Sequence, residues 1–328
     1  MRSVAILFAL MTACGTVAAR ELPRIDPSQL AHTFSIVAYD PATGEFGAAV
    51  QSHYFRVADV IWAEAGVGAV ATQSLADFAY GPLGLEMMRN GKTARQALAG
   101  LLASDSSNAV RQVAMIDRSG NVATHTGGKC IAEAGHHAGK SYSAQANLML
   151  RNTVWDAMGR AFETTKGDLA DRLMAALDAA QKEGGDIRGM QSAAILVVSG
   201  KPTGQVWKDR LIDLRVDDSP RPLVELRRLI NIQRAYRHED SGDEYMAIGK
   251  TVEAEAEYKE ASRLAPDNVE LKFWHAVTLA TNKQLDKALP IFKEVFKADA
   301  NWRTLVPRLV KSELLPKDEK LIRTIVAQ

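Results

Sequence analysis

A threonine at the head of an apolar run is the residue best placed to do chemistry in this sequence. Thr33 follows His32 and opens residues 33–40 (TFSIVAYD), a run that predicts a β-strand. If the chain is cut between His32 and Thr33, the threonine gains a free α-amine, and a pKa of about 7.7–8.0 makes it a usable base. One residue then supplies the nucleophilic hydroxyl and the group that takes its proton. The simpler interpretation is that Thr33 only begins a strand, where β-branched residues are favoured.

The residues at the start of the chain predict export. Arg2 precedes an apolar stretch, residues 4–11 (VAILFALM), which is too short to span a bilayer but has the length of a signal-peptide core. Two processing sites compete. Residues 17–19 (VAA) are the small residues that signal peptidase recognises, whereas residues 10–15 (LMTACG) resemble a lipoprotein box with Cys14 as the lipid-anchored residue.

We favour cleavage by signal peptidase, which gives a soluble periplasmic protein rather than a lipid-anchored one. The signal peptide is then residues 1–19, and residues 20–32 form a leader or propeptide without periodicity. Neither cut exposes Thr33. An enzyme that uses this threonine therefore requires a second cleavage.

Length and composition limit the classes of function. The 328 residues are 47% hydrophobic and 24% charged, enough for one large core and a small second unit. Forty basic residues against 39 acidic ones leave a formal charge of +1, and no basic block interrupts the chain. Neither nucleic acid nor an anionic membrane surface is therefore favoured as a partner.

The histidines do not indicate a metal site. His136 and His137 are adjacent, and adjacent side chains point to opposite faces of a strand. A core or loop role is favoured over metal binding, and we predict neither a metal nor a cofactor.

Cys130 is a rival nucleophile. If the signal peptide is removed, Cys14 is lost and Cys130 cannot form an intrachain disulfide. Lys129, His136 and His137 lie nearby in the sequence and are of the types that lower a thiol pKa. Against this, a lone cysteine is among the residues most often found buried.

Strands and helices alternate in a definite order between residue 33 and about residue 220. We predict hairpins at 33–40 with 45–52 and at 112–116 with 121–126, and short strands within 63–73. We also predict helices at 80–102 with a break at Gly91, two helices at 152–182, and strands at 192–199 and 205–216. Two antiparallel sheets, each covered by helices on one face, accommodate this order.

Six blocks of residues in this region resemble a known bacterial family, the domain of unknown function 1028. The blocks are residues 33–38 (TFSIVA), 66–73 (GVGAVATQ), 80–82 (YGP), 142–147 (YSAQAN), 185–189 (GDIRG) with 191–193 (QSA), and 213–218 (DLRVDD). The resemblance covers roughly residues 33 to 230, with the blocks in the family's order. It implies an α+β fold of the N-terminal nucleophile (Ntn) hydrolase superfamily, a four-layer αββα sandwich, and an ancestry in amide cleavage. It implies no substrate.

The resemblance also bears on Thr33, because the family's domain begins at this threonine. A chain that begins Met-Thr exposes the nucleophile when its methionine is removed, whereas this chain carries 32 residues ahead of Thr33. The superfamily's usual solution is attack by the threonine on its own preceding carbonyl, an N-to-O acyl shift. We therefore expect self-processing.

Other polar residues of the matching region have provisional catalytic roles. Ser52 and His53 close the second predicted strand, where Ser52 would reach the edge of the site and His53 would relay a proton or bind substrate. Gln73 and Asn147 carry amides that suit an oxyanion or substrate-orienting role. The same histidine and amides equally suit structural roles at strand ends and turns.

Four more residues have provisional substrate-binding roles. Gln145 lies in the same segment as Asn147 and has the same amide chemistry. Asp186 and Arg188 form either an internal ion pair or a clamp for a carboxylate, and Gln191 opens the next block. We favour the structural interpretation of Asp186 and Arg188.

The C-terminal part, residues 223–328, is a different kind of unit from residues 33–222. A shift of 34 residues overlays Ala254 on Ala288 and Tyr258 on Phe292, and 34 is the tetratricopeptide period. We predict a small all-α domain of tetratricopeptide-like repeats, with small residues where two helices touch and aromatic residues between them. Two repeats are too few for independent stability, so this unit should pack on the first domain or on a second protomer.

The sequence leaves three functional hypotheses open. The first is an exported, self-processing Ntn amidohydrolase that acts on a small amide or peptide-like substrate. The second is an inactive periplasmic binding protein whose helical repeats dock a protein or peptide, and the third is an activity that depends on Cys130. In each case we expect a homo-oligomer.

Overall fold

The computed structural model describes residues 30–31 and 33–328. The predicted signal peptide, the lipid-anchor site at Cys14, most of the leader and His32 lie outside the described residues. The strands are β1 Leu30–Ala31, β2 Thr33–Tyr39, β3 Phe46–Ser52, β4 Ile61–Glu64, β5 Gly68–Leu75, β6 Arg111–Asp117, β7 Val122–Thr126, β8 Gly135–Gly139, β9 Tyr142–Ala146, β10 Ser192–Val198 and β11 Arg210–Val216.

Five of the described α-helices lie between strands in the sequence. The last six follow the final strand and make up the helical region of the chain. The α-helices are α1 Tyr80–Arg89, α2 Ala94–Ser104, α3 Val154–Thr164, α4 Leu169–Lys182, α5 Val206–Asp209, α6 Pro222–Ala247, α7 Thr251–Leu264, α8 Val269–Thr281, α9 Leu285–Ala298, α10 Asn301–Leu305 and α11 Glu319–Val326. Short 3-10 helices lie at Val57–Val60, Asn108–Val110 and Val306–Val310.

The described strands form two antiparallel sheets. The six-stranded sheet has the order β11-β10-β3-β2-β9-β8. The five-stranded sheet has the order β1-β5-β6-β7, and β4 also pairs with β5. The predicted hairpins β2–β3 and β6–β7 are confirmed, because turn residues separate runs that alternate inward and outward.

Three apolar clusters bind the sheets and helices into layers. Between the sheets, Val37 and Val50 pack with Ala71. On the outer face of the five-stranded sheet, residues of β5 and β6 pack against α1 and α2, and on the outer face of the six-stranded sheet, residues of β2 and β9 pack against α3, α4 and α6. The order of layers is therefore helix, sheet, sheet, helix. Inward and outward residues alternate along β2, so its odd-numbered residues face the other sheet.

A hairpin that the sequence analysis did not predict completes the six-stranded sheet. β8 and β9 pair from Gly135 with Ala146 to Gly139 with Tyr142. β8 reads GHHAG and β9 reads YSAQA, so small and polar residues take the place of the large apolar ones that indicate a strand. These strands gain stability from packing against helices and the other sheet rather than from intrinsic propensity.

The prediction of one strand over 205–216 is wrong in its first half. Residues Val206–Asp209 form the short helix α5, and β11 begins at Arg210. The Asp209 carboxylate accepts hydrogen bonds from the Thr203 backbone N–H (2.9 Å) and hydroxyl (2.7 Å). These bonds fold the chain back on itself before the strand starts.

The helical region is joined to the layered part by one long helix. α6 contributes Leu223, Leu226 and Ile230 to the core on the outer face of the six-stranded sheet, while its later residues Ala235 and Met246 pack in the helical region. Proline at its first position fixes where it begins. α6 therefore spans both parts of the molecule.

The two antiparallel helix pairs of this region repeat. α9 has the bounds of α7 shifted by 34 residues, 251 to 285 and 264 to 298. The inner positions match as well, since Ala254 and Ala288 are buried, as are Tyr258 and Phe292. The C-terminal helices α10 and α11 pack over the second pair through Trp302, Ile325 and other apolar residues.

Candidate functional site

Thr33 lies at the point where the chain passes from one sheet to the other. Leu30 and Ala31 pair with Leu75 and Ser74 of β5 in the five-stranded sheet, whereas Thr33 begins β2 in the six-stranded sheet. The Thr33 side chain is fully buried. Within residues 33–328, its Oγ1 has no hydrogen-bond partner. A buried hydroxyl without a partner is costly, and such groups mark positions kept for a reason other than stability.

Three buried amide side chains, Gln73, Gln112 and Asn147, form what we call the amide cluster beside Thr33. Gln73 Nε2 donates to the Thr33 carbonyl oxygen at 3.0 Å and to Gln112 Oε1 at 2.7 Å. Asn147 donates its backbone N–H to the same carbonyl at 3.1 Å and its Nδ2 to Gln112 Oε1 at 2.9 Å. Thr33 is thus held by donors from two sheets.

Further polar groups extend this cluster in two directions. Ser35 Oγ donates to Gln73 Oε1 at 2.7 Å, and Gln145 Nε2 donates to Ser35 Oγ at 3.2 Å. In the other direction, Gln112 Nε2 donates to Thr126 Oγ1 at 3.0 Å and to the Ala146 carbonyl at 2.9 Å. The side chains of this polar layer carry no charge, and its one contact with an ionisable ring is that of Thr126 Oγ1 with His136 Nδ1 at 2.9 Å among the described residues.

Several predicted site residues meet at this point. Gln73, Asn147 and Gln145 belong to the polar layer, and Ser52 is buried opposite Thr33 in the register of β2 and β3. They meet because the strand ends that carry them lie at the same end of the two sheets, although the strands run in opposite directions. Gln145 lies within β9 rather than in the loop segment that the sequence indicated.

Gln112 is a central residue that the sequence analysis missed. It accepts from Gln73 and Asn147 and donates to Thr126. The available signal was a glutamine at an inward position of a buried strand, a feature that Gln112 shares with Gln73. Its partners come from three other strands or loops, which no local pattern shows.

Asp186, Arg188, Gln191 and His53 form a second cluster of contacts. The buried Asp186 carboxylate pairs with Arg188 at 2.7 Å and accepts the His53 backbone N–H at 3.3 Å. Gln191 Nε2 donates to Asp218 at 3.2 Å, and its backbone N–H donates to the Ser52 carbonyl at 3.1 Å. These bonds hold loops at the end of β3. Among the described residues, no hydrogen bond joins the exposed His53 to the amide cluster.

Cys130 does not have the surroundings of an activated thiol. Its Sγ donates to the Arg111 carbonyl at 3.4 Å, and burial raises the pKa of the thiol. His136 and His137 point away from each other, to Thr126 (2.9 Å) and Asp156 (2.8 Å). The prediction that neighbouring basic residues lower this pKa is therefore wrong, because burial outweighs the hydrogen bonds that favour the thiolate.

The rest of the described chain offers few other sites of this kind. Among residues 30–31 and 33–328, no group of three or more His, Cys, Asp or Glu side chains is arranged to hold a metal ion. Within the same residues, none of the helices has the length and apolar character that crossing a membrane requires. A pocket of about 520 Å³ lies beside Cys130, Thr126 and Trp155.

Comparison with known proteins places the layered part in a family. No curated protein matches the chain. A crystal structure of a Silicibacter pomeroyi protein, which is described by the DUF1028 family model, is similar to this chain. The two are 33% identical with a TM-score of 0.54, over 60% of this chain and 87% of that one. The model of a family of unknown function, DUF1028, matches residues 33–226, so the match begins at Thr33. The chain therefore belongs to the DUF1028 family.

Proposed function

We propose that this protein is an exported Ntn-type amidohydrolase whose nucleophile is Thr33, exposed by cleavage of the bond between His32 and Thr33. The observation that carries the proposal is the buried Thr33 hydroxyl, which lacks a partner within residues 33–328 while its carbonyl is held by Gln73 and Asn147. A residue held by its backbone with its hydroxyl left unpaired is a positioned nucleophile rather than a strand residue alone.

The layered fold supports this proposal. The order of helix, sheet, sheet and helix is the arrangement expected of an Ntn hydrolase, and Thr33 stands at the head of a central strand next to β3 and β9. In such a fold the strand ends bring donors from both sheets to one nucleophile. The amide cluster is made in this way from β5, β6 and the residue after β9.

The chemistry of self-cleavage is an acyl shift followed by hydrolysis. Thr33 Oγ1 loses its proton and bonds to the carbonyl carbon of residue 32, the C–N bond breaks, and the Thr33 nitrogen takes the proton and becomes the free amine. Water then cleaves the ester, which releases the leader as a carboxylic acid and restores the hydroxyl. Substrate amides pass through the same two steps, with their amine as the leaving group.

The uncharged surroundings suit the amine that this cleavage creates. Burial disfavours the charged form of an amine, and the polar layer around Thr33 offers amides and hydroxyls rather than carboxylates. The amine is therefore held as the free base that the hydroxyl needs at neutral pH. The N–H groups of Gln73 and Asn147, which hold the Thr33 carbonyl, are the donors to which we assign the developing negative charge.

The helical region supports a second role for the same protein. The 34-residue offset of α7 and α9 and their matching buried residues suit tetratricopeptide-like repeats that dock a protein or peptide. In an uncleaved chain Thr33 stays fully buried, and binding through these helices is then the protein's function.

The test is the mass and N-terminal sequence of the mature protein. Thr33→Ala should fold, as shown by circular dichroism, but should keep its leader and have no amidohydrolase activity. Thr33→Ser should retain part of both reactions, because serine keeps the hydroxyl and, after cleavage, the amine.

Thr72→Ala is a matched control. Thr72 is also fully buried, and its Oγ1 also lacks a partner within residues 33–328. This variant should be cut and active like the wild type. If Thr33→Ala is cut and active in the same way, Thr33 is not the nucleophile.

A further inference from the structure

The leader forms a strand directly ahead of the proposed cleavage site. Leu30 pairs with Leu75 and Ala31 with Ser74, antiparallel to β5. β6 pairs with one edge of β5. On the opposite edge, where the leader pairs, β4 covers only Gly68 to Ala71. The backbone of Ser74 and Leu75 therefore has one edge that nothing but β1 covers among the described strands.

Ser74 is an unusual residue at this edge. Its φ of 73° is in the left-handed region, which is a strained conformation for serine inside a strand. Its Oγ is buried and, within residues 33–328, has no hydrogen-bond partner. Ser74 and Thr33 thus both leave a hydroxyl unpaired on either side of the place where the leader crosses between the sheets.

We propose that the edge of β5 at Ser74 and Leu75 is the substrate-binding edge of the mature enzyme. An extended peptide adds to β5 as an antiparallel strand in the place of Leu30 and Ala31, and its scissile bond then reaches Thr33 one residue later, as the leader's own bond does. This inference rests on the proposed function. It makes the substrate class a peptide with at least two residues ahead of the scissile one, rather than a small amide.

The energetics of strand addition favour this class. Backbone hydrogen bonds to a sheet edge hold any extended peptide in register, whereas a single amino-acid amide is too short to make them. The leader strand shows that the edge accepts a peptide in this direction and register. Because the pairing covers only two residues, the cut leader is held weakly and leaves the edge open to substrate.

Exposed apolar side chains surround the same end of the sheets. They are Phe55, Ile131, Leu150 and Ile187, on the loops that follow β3, β7 and β9 and the loop that precedes β10. Backbone hydrogen bonds join three of these loops, from Leu148 N–H to the Ile131 carbonyl (3.2 Å) and from Ile187 N–H to the Leu148 carbonyl (3.1 Å). The substrate peptide is therefore one with apolar side chains.

The first test needs no catalysis. In the full chain with Thr33→Ala the leader stays attached and covers the edge, and adding Ala31→Pro removes an N–H that the β1 strand needs. A fluorescein-labelled Leu-Ala-His-amide peptide should bind the double variant about tenfold tighter than Thr33→Ala alone, measured by fluorescence anisotropy. Leu30→Pro in place of Ala31→Pro serves as a second variant if the first misfolds.

A methylated peptide is the matched control. Methylation of both the leucine and the alanine nitrogen keeps the side chains but removes each N–H that these residues can donate to β5, and it should weaken binding to the double variant by about tenfold. Equal binding with and without the leader strand overturns the proposal, as does equal binding of the methylated peptide or no binding to either proline variant.

The second test separates this inference from the proposed function. In the self-cleaved wild type, acetyl-Leu-Ala-His-aminomethylcoumarin should have a kcat/KM about tenfold above that of acetyl-His-aminomethylcoumarin. If both are cleaved at equal rates, the edge proposal is wrong and the hydrolase stands. If the chain neither cuts itself nor cleaves either compound, the proposed function is wrong, and the anisotropy result alone decides whether β5 binds peptides.

Discussion

Two regions of this molecule bury polar side chains in opposite ways. Between the sheets, the amide cluster consists of uncharged groups that bond to one another. Between α6, α7 and α8, ionisable side chains take this place: Glu239 and Tyr258 are buried, and His275 is half-buried. The difference teaches that the amide cluster holds no ionisable side chain, whereas the stability of the helical region depends on pH.

The cluster between the helices is only partly satisfied. The Tyr258 hydroxyl donates to Asp243 at 2.8 Å, and the His275 ring stacks on Tyr258 with centroids 3.9 Å apart. Glu239 Oε1 has no hydrogen-bond partner within residues 33–328. Burial, helped by Asp243 and Asp240, raises the pKa of Glu239 to about 8, and burial lowers the pKa of His275 to about 4. Both groups are therefore held neutral near pH 7.

The largest effect on stability should come from breaking the amide cluster. Gln112→Leu removes the acceptor of Gln73 and Asn147 and leaves buried donors unsatisfied, so the free energy of unfolding should fall by about 3 kcal/mol. Urea unfolding of the full chain measures this. The loss should be the same from pH 6 to pH 8, because no member of the cluster titrates.

Gln51→Leu, in β3 of the six-stranded sheet, is the control. Gln51 is fully buried as well, but neither polar atom of its side chain has a partner within residues 33–328. Replacing an unpaired amide by an apolar group of similar shape should leave stability unchanged or raise it. Equal losses in the two variants would show that side-chain volume, and not lost hydrogen bonding, explains the effect of Gln112→Leu.

The next effect should come from Glu239 and depend on pH. Because the folded pKa of about 8 lies above the ordinary value of 4.5, the stability that the neutral carboxyl contributes is complete below pH 4.5 and is lost as the pH rises through 8. His275 has the opposite sign, with stability lost as the pH falls from 6.5 through about 4. The effect of Glu239 is therefore clearest between pH 6.5 and 8.

Glu239→Gln should remove that dependence. The wild-type free energy of unfolding should fall by about 2 kcal/mol between pH 6.5 and 8, and the variant, which stays neutral, should be flat over this range. Denaturant titrations at several pH values measure the slope. Glu253→Gln, at an exposed position of α7, should keep the wild-type slope. A slope that survives Glu239→Gln would place the titrating group elsewhere.

The smallest effect concerns the backbone of the helical region and separates strain from charge. Lys283 has a φ of 62° at the turn after α8, where the equivalent turn after α6 has Gly249 with a φ of 77°. Lys283→Gly should raise the free energy of unfolding by about 1 kcal/mol, because glycine adopts this conformation without strain. Gly249→Ala should lower it by a similar amount.

Each of these two variants should change the free energy of unfolding by an amount that does not vary with pH. Parallel curves of unfolding free energy against pH, for Lys283→Gly and the wild type, are the expected outcome. Curves that converge at high pH would mean that the Lys283 charge, rather than its backbone, was the important property.

The sequence predicted the local features of this structure better than the contacts between distant segments. Turn chemistry located the β2–β3 and β6–β7 hairpins, and the amides of Gln73 and Asn147 marked these residues as candidates for the site. β8 and β9 were missed because their small and polar residues lack the large apolar side chains that indicate a strand. The leader strand was missed because its partner, β5, lies some forty residues further along the chain.

The site itself was predictable in part for the same reason. Thr33 is marked by its place at the head of a strand, and the family match begins at this residue. No local sequence feature distinguishes Gln112 in this way, because its hydrogen bonds form only where β6 meets the end of β9. The direction of the Cys130 pKa depends on burial, which the neighbouring residues in the sequence do not reveal.

The long helix α6 has a consequence for how the protein melts. Its 26 residues make a rod of about 39 Å, whose first turns are part of the layered core and whose last turns are part of the helical region. Arg234, in the middle, pairs with Asp168 (2.7 Å) and Asp171 (2.9 Å) at the start of α4. Neither half can lose its structure without fraying a helix that the other half needs, so heating should produce one shared calorimetric transition rather than two.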